Sequence, residues 1–197
     1  MKDTEAASHG PLAGITVVDV SSAVAGPWVS SWLAELGAEV VFVEKVGVPD
    51  VMRMTGAISG DQSGCWVHMH RNKRGMDLDI RSETGRDILL RLVSEADVFI
   101  QNFRPGVAER LQIGYPALSV VNPDLVYLSV SGFGPNGPYA DRPVYDPIIQ
   151  AISGMAEAQN GTYVKAVVAD KTTAMAGANA VLAALVARSN GAGGQHI

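Results

Sequence analysis

Apolar residues fall in short, nearly unbroken runs, separated by longer stretches with helical spacing. Residues 15–20 form a β-branched run ending in a small-residue loop, which predicts a buried strand. Pro27 suits the first turn of a helix, where its missing N–H is not needed, and Gly37 is placed to cap that helix just past Leu36. Residues 38–43 form a second apolar run, with Glu44 at its carboxyl end read as a surface acid. Near-continuous apolar strands joined by a helix are expected in a parallel sheet covered on both faces.

The pattern then fades. Residues 45–75 form a long connection rich in Gly, Met, His and Arg, and loops of that length are usually functional or partly disordered. Periodicity returns at residues 82–96, where Ile88, Leu89, Leu92 and Val93 share one helical stripe. Residues 97–101 predict a third strand, 102–106 a turn, 107–111 and 116–121 short helices, and 125–130 a fourth strand. After a Gly- and Pro-rich loop at 131–143, residues 147–155 read as helical, 164–169 as a fifth strand and 172–188 as a helix. That last helix is apolar around most of its surface, which implies burial on several sides. Residues 191–194 read as a turn into another strand. The expectation is an α/β domain over residues 11–197, with flanking helices on a parallel sheet, behind a polar tail at residues 1–10.

Composition narrows the function. A chain of 197 residues supports one full-sized core rather than two domains. A net charge of -5 disfavours a nucleic-acid partner. Eight of the fifteen Lys and Arg lie between Arg71 and Arg110 among seven acids, a local balance of 8 − 7 = +1, so only a small anionic ligand could use a subset of them. The single Cys65 excludes an internal disulfide and fits a reducing compartment. The polar start does not resemble a signal peptide, and no apolar run is long enough to span a bilayer. A cytoplasmic protein without membrane partners is expected.

Several groups carry candidate chemistry. Ser21 to Pro27 places backbone N–H groups at a helix N-terminus, a setting that favours phosphate, but its one glycine does not make a dinucleotide fingerprint. His68 and His70 flank Met69 and would share a face on a strand, yet no third ligand lies nearby and no metal is expected. Asn72-Lys73-Arg74-Gly75 and Asn102-Phe103-Arg104-Pro105-Gly106 each join donors to a turn; Arg and Lys suit phosphates and Phe suits a purine. Asp170, between a predicted strand and a helix, reads first as an N-cap, and the same position can also serve as a carboxylate nucleophile kept ionised by the helix N–H groups.

In order along the chain, Pro11-Leu12-Ala13-Gly14-Ile15, Ala25-Gly26-Pro27, Leu36-Gly37-Ala38-Glu39-Val40, Asn72-Lys73-Arg74-Gly75, Asn102-Phe103-Arg104-Pro105-Gly106, Ser131-Gly132-Phe133-Gly134, Tyr145-Asp146 and Asp170 resemble the family III CoA-transferases, the CaiB–BaiF family. The resemblance covers nearly all of the chain after its first ten residues. It implies a Rossmann-like large domain that is incomplete at the C-terminus, lacks the smaller domain, and belongs to a ring-shaped chain interlocked with its twin as a homodimer. It also implies coenzyme A as carrier, held at Ala23, Val24, Lys45, Leu78, Arg81, Asn102, Phe103 and Arg110. Asp170 matches the catalytic aspartate, which would move CoA between an acyl-CoA and a carboxylic acid through a covalent aspartyl intermediate. Val24 and Ser131 stand where relatives carry polar and lysine side chains. Two other functions remain: an acyl-CoA racemase of the same fold, and a non-catalytic CoA-binding half of a split enzyme completed by a second polypeptide. The related racemases carry a catalytic histidine where this chain has Tyr145, and a phenol is a poor base at neutral pH. The chain is expected to be inactive alone.

Overall fold

The computed structural model describes residues 9–197. Chain order begins with β1 (Thr16–Asp19), α1 (Ala25–Glu35) and β2 (Glu39–Glu44), followed by a short hairpin of β3 (Ile58–Ser59) and β4 (Gln62–Ser63). Next come α2 (Gly64–His70), β5 (Lys73–Asp77), α3 (Glu83–Ser94), β6 (Val98–Gln101), α4 (Val107–Arg110) and α5 (Tyr115–Val121). The last elements are β7 (Val126–Ser129), α6 (Asp146–Ile152), α7 (Val168–Ala187) and β8 (Gln195–His196).

Six strands form one parallel sheet in the order β5-β2-β1-β6-β7-β8. Strands are added on one side of β1 and then, from β6, on the other. The carboxyl ends of β1 and β6 therefore flank a crevice, the position where open α/β sheets bind ligands. Val17 pairs with Val40 on one side and Val98 on the other, so β1 is central and apolar on both faces. One face packs Val17, Val29, Leu33 and Val126 against Ala174, Ala178 and Val181 of α7. The other packs Val18, Leu89, Val93, Phe99, Leu118 and Tyr127. Gly177 permits the close approach of α7 to α1, since a Cβ there would meet Val29 at 2.9 Å.

The structure corrects several expectations. Residues 164–167 form no strand, and α7 begins at Val168; the β-branched run finds no neighbouring strand to pair with. Residues 45–75 are not one irregular loop: they contain the hairpin, α2 (capped by Ser63) and most of β5. The Asn72 to Gly75 segment is thus mainly strand rather than a binding turn. Within this chain α7 is buried on one side only, with Met175 52% and Val186 61% exposed. Glu44 is buried rather than a surface acid. Most of the expected tail, residues 1–8, lies outside the described residues. Among the described residues no helix is long and apolar enough to cross a membrane.

Candidate active site

The loop after β1 is bound on three sides. The N–H of Ser21 donates to Asp19 Oδ1 at 2.9 Å, that of Ser22 to Asn102 Oδ1 at 2.9 Å, and that of Ala23 to Asp50 Oδ2 at 2.8 Å. These three amides are therefore taken by side chains of the chain itself, and of the expected phosphate setting only the amides at the head of α1 remain. Asn102 also donates to the Ser22 carbonyl at 2.7 Å, so its amide clamps the turn across the crevice. Ala23 has φ 61, a left-handed conformation that costs a residue with a Cβ about 1–2 kcal/mol. Gly26 lets the helix close on this turn, because a Cβ there would meet Ser21 Cβ at 2.4 Å.

A relay holds the strained turn. Arg53 forks onto Glu44, Nε to Oε1 at 2.9 Å and Nη2 to Oε2 at 2.6 Å. This guanidinium holds the Glu44 carboxyl below the usual range. Glu44 Oε1 accepts the Asp50 N–H at 2.7 Å, and Asp50 in turn accepts from Met52 and Ala23. Asp50 was not singled out by sequence reasoning; its place before an irregular loop gave no signal of a partner 27 residues earlier.

Two clefts meet at this turn. The first, about 520 Å³, is lined by Ala23, Lys45, Leu78, Arg81 and Phe103 among others. Arg81 lies at its rim in a fork with Asp79, Nε to Oδ1 at 2.9 Å. The second, about 530 Å³, is lined by Val24, Asn102, Arg104, Arg142, Tyr145, Asp146 and Asp170 among others. Ser22, Ala23, Val51 and Phe103 border both. Of the eight expected CoA contacts, five thus face the first cleft, and Val24 and Asn102 face the second. Arg110 is exposed on α4 and lines neither cleft.

Asp170 lies in the first turn of α7 and is not its cap. The cap comes from α6: Asp146 Oδ2 accepts the N–H of Ala169 at 2.6 Å and that of Asp170 at 3.1 Å. Burial, and then the neighbouring Asp146 charge, push the Asp170 carboxyl up to about 6. This reverses the expectation that helix amides hold its pKa down: burial dominates, and Asp146 takes the amides of Ala169 and Asp170. At pH 7 Asp170 is still ionised by roughly ten to one.

Two sequence candidates have other roles. Lys73 Nζ donates to the Pro27 carbonyl at 2.6 Å and lies 3.6 Å from Asp19 Oδ2, with 1% of its side chain exposed, so it is closed to a ligand. His68 and His70 lie on helix α2, not a strand. The His70 ring stacks on Trp66 at 3.7 Å, both its nitrogens lack hydrogen-bond partners among the described residues, and burial pushes its pKa down to about 3. Among the described residues no group of three His, Cys, Asp or Glu side chains is arranged to hold a metal.

Comparisons with known proteins agree on one family. An acyl-CoA transferase of Fusarium pseudograminearum is 38% identical over 204 residues, covering 96% of this chain and 45% of that protein. An acetyl-CoA:oxalate CoA-transferase of Acetobacter aceti is 41% identical over 152 residues, covering 77% of this chain and 39% of that one. The chain thus spans less than half the length of these curated relatives. The crystal structure of a CAIB/BAIF family protein from Brucella suis superposes with a TM-score of 0.90 at 36% identity, over 95% of this chain and 52% of that one. With residues 12–197 matching its sequence pattern throughout, the chain belongs to CoA-transferase family III.

Proposed function

We propose that this chain supplies the CoA-binding half and the nucleophile of an enzyme that moves CoA between an acyl-CoA and a carboxylic acid. The observation that carries the reading is the junction of the two clefts at Ala23 and Phe103, with Lys45 and Arg81 on one side and Asp170 on the other. CoA is long and has its phosphates at one end and its thiol at the other. Both linings mix charge: Lys45 and Arg81 with Phe103 in the first cleft suit phosphates and a purine, and the second sets the half-buried Asp170 among Arg104 and Arg142.

In this reading an Asp170 oxygen attacks the thioester carbonyl carbon; the C–S bond breaks and its electron pair leaves on the CoA sulfur. The thiolate then attacks Asp170 Cγ, breaking the anhydride C–O bond and releasing the first acid as its carboxylate. The acceptor carboxylate attacks the aspartyl thioester and displaces the thiolate, leaving its own acyl group on Asp170. The thiolate then attacks that acyl carbon and regenerates the Asp170 carboxylate. Covalent carriage divides one hard exchange into easier steps. Val24 and Ala25, at the head of α1, line the same cleft and bring a positive dipole end near the negative charge that develops. Tyr145 beside Asp170, rather than a stronger base, favours transfer over racemisation. The reading also carries a cytoplasmic location and either a homodimer or a second polypeptide that completes the fold.

Mass spectrometry of the purified chain after incubation with acetyl-CoA and succinyl-CoA tests the proposal. A covalent adduct on the Asp170 peptide, absent from Asp170→Ala, is the expected result. A folded parent that binds CoA but never gives an adduct, even with the remaining half supplied, would overturn it.

A further inference from the structure

Asp146 is 5% exposed, and each of its oxygens is engaged. Oδ1 accepts from the side-chain amide of Gln150, which is itself 1% exposed and whose Oε1 accepts the Val164 N–H at 2.8 Å. Oδ2 accepts the N–H groups of Ala169 and Asp170 at 2.6 and 3.1 Å. No cation pairs with Asp146 among the described residues. A carboxylate on α6 therefore occupies two amides in the first turn of α7, that of Asp170 among them.

We propose that Asp146, set by Gln150, is a positioning residue for Asp170: it fixes the first turn of α7, withholds the helix amides from the Asp170 carboxylate and keeps a second negative charge beside it. This deepens the proposed function and rests on it for its catalytic meaning. A carboxylate stabilised by helix amides is a weak nucleophile, since nucleophilicity falls with pKa as it does for thiolates. Asp170 instead ionises near 6, with burial the larger cause and Asp146 the second. It remains charged at neutral pH while keeping the reactivity of a more basic oxygen. The other charged or titratable groups lining its cleft are Arg104 from the loop after β6, and Arg142 and Tyr145 from the segment before α6. On α7 itself, the Lys171 ammonium lies over the Trp28 ring at 5.4 Å.

The test follows the aspartate carboxyl carbons by NMR in the whole chain, with Asp170 assigned from the spectrum of Asp170→Asn. The parent should titrate Asp170 near 6. Asp146→Asn keeps an oxygen for the two amides and removes the charge, so it should lower that midpoint by roughly half a unit or more. Asp146→Glu should return it toward the parent value. An unchanged midpoint in folded Asp146→Asn overturns the proposal. Should that variant not fold, the parent decides: the Ala169 and Asp170 amide protons, held by Asp146, must exchange slowly with solvent, and fast exchange also overturns the proposal. The adduct assay is independent. Coupled carboxylates without an adduct would remove the nucleophile reading alone, and an adduct without coupling would remove the positioning role alone.

Discussion

Lys73 on edge strand β5 reaches past β2 to lie 3.6 Å from Asp19 at the end of β1, with 1% and 0% of the two side chains exposed. Asp19 also accepts from the hydroxyls of Ser21 and Ser30, so this buried pair anchors β5, β1 and α1 beneath the turn that borders both clefts. Lys73→Met would leave Asp19 charged and without a cation, a loss of about 3–5 kcal/mol. Urea unfolding should show a lower midpoint at unchanged slope. A loss below about 1 kcal/mol would mean that the two serines suffice for Asp19.

Asp170 should make the fold less stable at neutral pH. Its folded pKa of about 6 lies above the ordinary 3.8, so its stabilising contribution is complete below about pH 4 and lost as pH rises through 6. Asp170→Asn avoids ionisation and should gain about 1 kcal/mol at pH 7, after allowing for screening of a half-exposed group. Thermal melts should show the gain at pH 7 and none near pH 4. Equal melting temperatures at pH 7 would contradict the raised pKa.

His70 works in the opposite direction. The folded ring refuses a proton until about pH 3, whereas an unfolded histidine accepts one near 6.5, so stability falls as pH drops through that window. His70→Phe keeps the ring against Trp66 and removes two unpartnered nitrogens. The difference in denaturant midpoint between pH 7 and pH 4.5 should shrink in the variant; an undiminished difference would assign the acid sensitivity elsewhere.

Arg81 and Asp79 should have opposite effects on CoA. Their fork at the rim of the first cleft holds the guanidinium beside the proposed phosphate position but partly cancels its charge. Arg81→Ala should weaken CoA binding by a factor on the order of ten, and Asp79→Ala should strengthen it. Calorimetry at matched salt measures both. A loss of affinity in Asp79→Ala would show that its carboxylate is needed to hold Arg81 in place.

The central strands were readable because β1, β2, β6 and β7 are apolar on both faces, so local sequence alone declares them. β5 reads Lys-Arg-Gly-Met-Asp and declares nothing; it is a strand because β2 offers an edge and Asp19 accepts the lysine. The same limit applies at the site. Asp170 was found at the head of a helix, but its cap is Asp146, 24 residues earlier, and no local pattern reports that contact. Asp50 escaped notice and Glu44 reads as a surface acid for the same reason, since their roles exist only once the loop has folded back onto the first turn. Arg104 and Arg142 took their place beside Asp170 only when two separate loops converged.

The left-handed alanine has a consequence of dimension. Any ligand long enough to occupy both clefts must pass the residues that border each of them, the left-handed Ala23 with Ser22, Val51 and Phe103. Position 23 therefore lies on the route between the two clefts. A bulkier residue there would strain the backbone and obstruct the passage together, while glycine would widen it and remove the strain that Asp50 now restrains. One position thus ties the strain of the backbone to the place where the two ends of such a ligand would meet.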